Sequence, residues 1–178
     1  MHEVLALAHN TEFVLRDANG KIKKLWNANR LGKLTGLRIP FVTGQYHDSF
    51  KNHNLITNAG KAGAVGRMSN QGSYSPFVNI AIGTGTTAAA ATDTALQSEI
   101  TTGGGARGAA TASQTTTTVT NDTTQLVKTF TFSASFAVTE EGILDSATTG
   151  GTLLARQVYA AINVASGDQL TITHSYHA

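Results

Sequence analysis

The feature that most constrains the fold of this chain is a regular alternation of side chains over residues 126–136. On one side of the alternation the residues are Leu, Lys, Phe, Phe, Ala and Phe, and on the other they are Val, Thr and Ser. Successive side chains of a β-strand point to opposite faces of a sheet. The stretch therefore predicts one long strand with an aromatic inner face and a hydroxyl-rich outer face.

Two further strands are predicted after it. Residues 152–159 follow a Gly-Gly pair, and residues 169–176 follow a Ser-Gly-Asp turn, where Gly and Asp supply the backbone freedom and local hydrogen bonds that tight turns need. In the last strand Leu, Ile, His and Tyr share one face, whereas Thr and Ser share the other. These elements predict a mainly β protein whose body is an antiparallel β-sandwich or barrel.

The N-terminal third predicts a hairpin followed by an extended arm. Residues 11–26 form two predicted strands around Asn19-Gly20, a pair favoured in type I′ turns because both central residues need positive φ. Residues 27–54 show no periodicity, and a structureless stretch of this length is usually functional or ordered by a partner. The favoured interpretation is a docking arm, and the alternative is a surface loop packed on its own domain. The chain then divides into a hairpin and arm, residues 1–53, and a body, residues 54–178.

The segment between the arm and the C-terminal strands gives weaker signals. Residues 55–68 predict a short helix capped by Asn54 or Thr57, although three glycines weaken it. Residues 94–100 predict a single helical turn. Residues 102–121 are low in complexity, which is typical of either a mobile loop or a Thr-rich edge strand beside a glycine hinge.

The charge content is low and unevenly divided. Only 13% of the residues are charged, against about 25% in a typical soluble protein, which favours a surface used for subunit contacts. The alternative is an extracellular β-domain solvated by its hydroxyl groups. Residues 1–70 contain ten Lys or Arg and four acidic residues, whereas residues 71–178 contain three and seven. A basic arm predicts a negative partner surface, and an acidic subunit face is favoured over nucleic acid because no basic run occurs.

The candidate subunit-contact residues are nine basic and aromatic residues of the hairpin and arm. They are Arg16, Lys21, Lys23, Lys24, Trp26, Arg30, Lys33, Arg38 and Phe41. The chain has no apolar run of membrane-spanning length and no basic leader, so we expect neither a membrane partner nor a secretion signal, and assembly in a host cytoplasm.

No motif of the chain predicts an enzyme. Residues 83–88 match the G-x-G-x-x-A pattern of dinucleotide-binding turns directly after a predicted strand, but no helix and second parallel strand follow. The six histidines lack metal-ligand spacing, the chain has no Cys, and no G-x-S-x-G elbow occurs. We therefore expect no catalytic residue, no cofactor and no metal ion.

One acidic pair receives a structural interpretation. Glu140 and Glu141 are adjacent, which does not suit a pair of catalytic carboxylates. We predict a strand-to-strand turn here, in which Gly142 permits the bend and Arg156 neutralises a carboxylate. The alternative is that this turn contacts a ligand.

Several blocks of the sequence are similar to small virion proteins of tailed bacteriophages. They are residues 54–60 (NLITNAG), 79–87 (NIAIGTGTT), 94–100 (TALQSEI), 130–132 (FTF), 139–145 (TEEGILD), 151–156 (GTLLAR) and 168–173 (DQLTIT). The last four resemble a block found in tail-fibre and head-associated proteins. The resemblance covers about residues 54–176 and implies a β-sandwich or barrel module that assembles symmetrically and has no catalytic activity.

The leading hypothesis is a non-enzymatic structural protein of a tailed-phage virion. It would decorate or cement the head by laying residues 1–53 across the major capsid protein or other virion subunits, and would itself form a closed oligomer, most simply a homotrimer. The alternative is a tail, neck or baseplate component, associated with a fibre, that the arm anchors while the β-body faces outward as an adhesin or adaptor.

Overall fold

The structure is a computed structural model, and it describes residues 8–28, 30–35, 37–42 and 44–177. In chain order the strands are β1 (Ala8–Arg16), β2 (Ile22–Lys23), β3 (Leu25–Ala28), β4 (Gly44–His47), β5 (Phe50–Asn52), β6 (Leu55–Ile56), β7 (Asn79–Gly83), β8 (Gly108–Ala109), β9 (Thr111–Thr115), β10 (Thr123–Thr131), β11 (Phe136–Leu144), β12 (Leu153–Val164) and β13 (Gln169–His177). The helices are α1 (Arg30–Thr35) and α2 (Asn58–Met68).

Two larger antiparallel sheets form a β-sandwich, as the sequence predicted. The first sheet has the order β2-β1-β13-β10-β9, with β5 also pairing with β1. The second sheet has the order β6-β12-β11-β7-β8, and β3 pairs with β4 in a separate two-stranded sheet. Since neither larger sheet closes on itself within the described residues, the body is a sandwich rather than a barrel.

The hydrophobic core lies between the two larger sheets. Phe13 of β1 and Leu170 of β13 are fully buried and belong to one cluster with Ile80 of β7 and Ile143 of β11. The rings of Phe13 and Tyr159 lie 4.7 Å apart across the two sheets. Burying an aliphatic or aromatic side chain of this size stabilises the fold by about 1.5–3 kcal/mol, so this inner layer holds the sheets together.

The predicted division at residue 54 does not follow the sheets. β1 pairs with β13 along its whole length, from Ala8 opposite His177 to Arg16 opposite Gln169. Its inward side chain Phe13 is part of the core. Residues 8–16 therefore belong to the sandwich body, because their alternating side chains complete the inner face of the first sheet.

The N-terminal hairpin forms at the predicted place with a different turn. Gly20 has a φ of +80°, but Asn19 is not in the positive-φ region that a type I′ turn requires. Instead the Gly20 N–H donates to the Asp17 carbonyl at 2.9 Å, and the Asp17 carboxylate accepts from the N–H groups of Asn19 and Lys21. The result is a three-residue loop in which only the final glycine is left-handed.

The long strand predicted over residues 126–136 is two strands in different sheets. β10 ends at Thr131, and its register with β13 runs one residue further, where the Phe132 N–H donates to the Asp168 carbonyl at 2.9 Å. The chain crosses over and resumes as β11 at Phe136 in the second sheet. Side-chain alternation continues through the crossing, which is why the sequence pattern did not reveal the break.

The structure of residues 55–121 contradicts one prediction and decides between two pairs of alternatives. Residues 94–100 do not form a helical turn, since Glu99 makes an isolated bridge with Gly83. The cap of α2 is Thr57, whose hydroxyl accepts the Gly60 N–H at 2.9 Å. Within residues 102–121, β9 is an edge strand.

Candidate interaction surface

The G-x-G-x-x-A segment, residues 83–88, binds a carboxylate of the protein itself. Glu140 is fully buried in β11, and its Oε1 accepts the N–H groups of Gly85 at 3.0 Å and Ser98 at 2.6 Å. A Cβ atom on Gly83 or Gly85 would lie 2.5 or 2.4 Å from the same oxygen. The glycines are therefore required to admit the Glu140 side chain, and we call this arrangement the Glu140 cradle.

Arg156 completes the Glu140 cradle from the neighbouring strand. Its Nε and Nη2 lie 2.9 and 2.7 Å from Glu140 Oε2, and its Nη1 lies 2.8 Å from Asp93 Oδ2. Burial raises the pKa of Asp93, but the Ala90 N–H and the Arg156 guanidinium outweigh it and leave that pKa below its ordinary value. The prediction that Arg156 neutralises a carboxylate is confirmed by these distances.

The predicted turn at this place is wrong. Glu140, Glu141 and Gly142 lie inside β11, which pairs with β7 on one side and β12 on the other. Gly142 is not there to bend the chain, because a Cβ atom on it would lie 2.8 Å from Leu96 Cδ1 and 2.9 Å from Leu153 Cδ1. The glycine instead leaves room for packing on a central strand.

A second buried polar group, the inter-sheet cluster, joins the two sheets. It consists of Thr11, Glu141, Gln157 and His174. His174 Nε2 lies 3.1 Å from Glu141 Oε2, and its Nδ1 lies 3.0 Å from Thr11 Oγ1. Gln157 Nε2 donates to Glu141 Oε1 at 2.8 Å. Hydroxyl, imidazole and carboxylate occur here in the order of a nucleophile triad, but the Thr11, His174 and Glu141 side chains are fully buried, so a substrate cannot reach them.

The inter-sheet cluster also affects two buried tyrosines. Burial raises the pKa of Tyr159 and of Tyr176 well above its ordinary value, and the nearby Glu141 carboxylate adds to the shift in both. The Tyr159 hydroxyl donates to the Glu140 carbonyl at 3.2 Å. The alternation of β13 had placed His174 and Tyr176 on one face, but their partners come from distant parts of the chain.

Exposed apolar side chains are concentrated in one region, the flap, defined as the described residues of 25–47. It contains β3, α1, β4 and their connections, and Leu25 anchors it to the core. Seven of the eleven large exposed apolar side chains among the described residues belong to the flap. They are Leu31, Leu34, Leu37, Ile39, Phe41, Val42 and Tyr46.

The flap also contains an aromatic side chain in an unfavourable backbone conformation. Phe41 is 85% exposed and has a φ of +64°. A bulky residue seldom adopts this left-handed region, and such strain clusters at functional sites. Nearby, the Trp26 and Tyr46 rings meet edge to face with centroids 5.0 Å apart, which ties β3 to β4.

A cavity of about 490 Å³ separates the flap from the body. Trp26, Leu37 and Arg38 line it on the flap side, and Phe50 and Tyr159 line it on the body side. Arg38 is the predicted contact residue that combines exposure with a position on this cavity. The cavity is therefore a mainly apolar cleft with a guanidinium at its wall.

The remaining predicted contact residues do not form a single patch. Arg16 donates to the Gly20 carbonyl at 2.9 Å in the hairpin turn, and Lys23 Nζ lies 2.6 Å from Asp168 Oδ2. Lys21 and Lys24 are exposed near the same hairpin. The side chains of Arg30 and Lys33 lie outside the described part of the structure.

Two searches for other kinds of site gave negative results for the described residues. No group of three or more His, Asp or Glu side chains is arranged to hold a metal ion within these ranges. Among the helices of the described segments, none has the length and apolar character needed to cross a membrane.

Comparison with known proteins adds no relative. No protein-family model matches the sequence, and no significant match is found among curated proteins or solved structures.

Proposed function

We propose that the protein is a non-enzymatic structural subunit of a tailed-phage virion, which decorates the head and docks on it through the flap. The observation that carries this proposal is the concentration of exposed apolar side chains on the flap. The resemblance of residues 54–176 to phage virion proteins supports the assignment to a virion. A tail, neck or baseplate position is the alternative.

The apolar surface of the flap supports docking on a protein. Leu34 and Phe41 are 77% and 85% exposed, and five further large apolar side chains lie within the same short segment. Contiguous exposed apolar side chains are uncommon on monomeric proteins and mark interaction surfaces. Aromatic residues and Arg, such as Phe41 and Arg38, are enriched where binding energy is concentrated.

The body supports a structural role. Its buried glutamates have hydrogen-bond partners within the protein. Glu140 is bonded to Arg156 and to three backbone N–H groups, and Glu141 is bonded to Gln157 and lies beside His174. An acid or base that works on a substrate must reach it within about 3 Å, directly or through one water. Burial of these groups is therefore better suited to holding the sandwich rigid than to catalysis.

The partner surface that fits the flap is apolar with acidic groups at its margin. Residues 1–70 carry an excess of basic over acidic side chains, and Arg38 lies exposed beside the apolar cleft. Opposite charges at the edge of an interface speed association and fix orientation more than they add affinity. Binding is therefore expected to weaken only modestly at high salt.

The test is binding of the purified protein to phage particles from which its gene has been deleted. The double substitution Leu34→Asp with Phe41→Asp should reduce co-sedimentation at least about tenfold, because it places charges in a desolvated interface. The matched control is Val65→Asp with Val119→Asp, which changes two exposed apolar residues outside the flap and should bind normally.

Three outcomes would decide against the proposal. Equal binding of both double variants would show that the flap is not part of the interface. Binding to isolated tails and not to heads would favour the alternative position. Absence of binding to any particle, by a protein whose circular dichroism shows it folded, would exclude a virion role.

A further inference from the structure

We infer that β9 is a pairing edge for a second copy of this chain, and that two copies join antiparallel about a two-fold axis at Ser113. This inference does not depend on the proposed function. It rests on the position of β9 in the first sheet, on the absence of charged residues from β9 and on the exposure of its side chains.

β9 is the outermost strand of the first sheet. It pairs with β10 from Thr115 opposite Thr123 to Thr111 opposite Val127, and has no strand partner on its other side among the described residues. Alternate N–H and C=O groups of such a strand point away from the sheet and can pair with another chain. Four of its five side chains are exposed, so no segment within those described ranges covers this edge.

The second observation is that this edge has no charged residue. Residues 108–121 contain none. The charged residues that flank this stretch in the sequence are engaged elsewhere: the Arg107 guanidinium pairs with Glu99, and the Asp122 carboxylate accepts the N–H groups of Thr117, Thr118 and Val119. Natural proteins commonly block edge pairing with charges, proline or bulges, and β9 contains neither a charged residue nor a proline.

The opposite edge of the same sheet is different. There β2 contains Lys23, β5 contains Lys51, and Lys21 precedes β2. Lysines on an edge strand oppose pairing with another chain, because both their charge and their length interfere. One edge of the first sheet is therefore protected and the other is open.

The sandwich is also open at β9. Ala112 and Gln114 pair with Leu126 and Thr124, which places them on the inner face, and yet both are exposed. The second sheet therefore leaves the inner face uncovered at β9. Pairing with another sheet would extend this layer and cover the exposed backbone.

The composition of β9 favours a second copy as the occupant. A two-fold interface places each residue near its own symmetry mate, so any charge in it would face a like charge nearby. An axis at Ser113 puts Thr111 opposite the second copy's residue 115, and Ala112 opposite its residue 114. All are small or neutral, and Thr pairs across strands are favourable. Recognition would come from main-chain hydrogen bonds, for which β9 is complementary to itself.

The first experiment uses the absence of cysteine from the chain. Directly opposed residues of an antiparallel pair have Cα atoms about 4.5–5.5 Å apart, within the range of a disulfide. Under mild oxidation Ser113→Cys should form a covalent dimer. The control, Thr129→Cys, is exposed on the neighbouring strand β10 away from the edge and should remain monomeric. Equal cross-linking of the two variants would overturn the inference.

The second experiment separates pairing from folding by charge pattern. With the axis at Ser113, the double variant T111K/T115K creates two Lys–Lys pairs, whereas T111K/T115E creates two Lys–Glu pairs in the same positions. Sedimentation equilibrium should give a dimer dissociation constant about tenfold higher for the first variant than for the second. Equal constants, a trimer or a strictly monomeric wild-type protein would each overturn the proposed two-fold pairing.

Discussion

In the sandwich, Glu140 and Arg156 are buried and fully paired, whereas in the flap Leu34 and Phe41 project into solvent. Each arrangement reverses the usual preference, because charged groups are commonly exposed and apolar groups commonly buried. The sandwich stabilises its buried charges with internal partners. Leu34 and Phe41 have no comparable cover among the described residues, and the proposed docking on another molecule would supply it.

The largest effect on the free energy of unfolding is expected for a substitution of Arg156. Arg156→Met should lower the free energy of unfolding by about 3–5 kcal/mol, because it leaves the buried Glu140 without its cation. Urea titration measures the change. The control Arg16→Met removes an exposed guanidinium bonded to the Gly20 carbonyl and should cost less than about 0.5 kcal/mol. A small loss at Arg156 would mean that the backbone donors alone satisfy Glu140.

The next effect tests the Glu140 cradle by adding one methyl group. Gly85→Ala should cost about 1–3 kcal/mol, since its Cβ would lie 2.4 Å from Glu140 Oε1 and 2.6 Å from Gln97 Cβ. Gly108→Ala is the matched control, because its nearest neighbour is the flexible Lys128 Nζ at 3.2 Å. Thermal unfolding of both variants gives the comparison, and equal melting temperatures would contradict the cradle.

The third effect uses pH. The pKa of buried Tyr159 is raised in the folded state, so the unfolded chain releases this proton near pH 10 while the folded chain keeps it. The contribution of Tyr159 to the free energy of unfolding is therefore complete below pH 10 and is lost as the pH rises. The loss from this one group is about 1.4 kcal/mol at pH 11. Urea titrations at pH 9 and 11 should show an alkaline loss smaller by that amount in Tyr159→Phe. Tyr46→Phe, at an exposed flap position, should keep the full loss.

The smallest effect is expected in the flap. Leu34→Ala should change the free energy of unfolding by less than about 0.5 kcal/mol, because the side chain is 77% exposed. Leu170→Ala removes the same atoms from the core and should cost about 2–5 kcal/mol. If the two variants lost similar stability in urea, the flap would be part of the core rather than a docking surface.

The sequence predicted some features of the site correctly and others wrongly. The pairing of Arg156 with a carboxylate was correct, but the surrounding turn was wrong, because two adjacent acidic residues more often lie at a surface than on a central strand. The exposed apolar residues of the flap fall within residues 27–54, where the lack of periodicity had predicted a docking arm or a surface loop. The role of residues 83–88 could not be predicted, since their partner Glu140 lies more than fifty residues away.

Local patterns in the sequence determined the three C-terminal strand-forming segments, the inner face of β13, the hairpin around Gly20 and the candidates for the cap of α2. Each depends on neighbouring residues, through side-chain alternation, backbone freedom or a nearby hydroxyl. Only the tertiary structure decided which sheet each strand joins, that β1 belongs to the body, and which partners Glu140 and His174 have. Those contacts join distant residues, and a period of two is the same in either sheet, so no local pattern distinguishes between them.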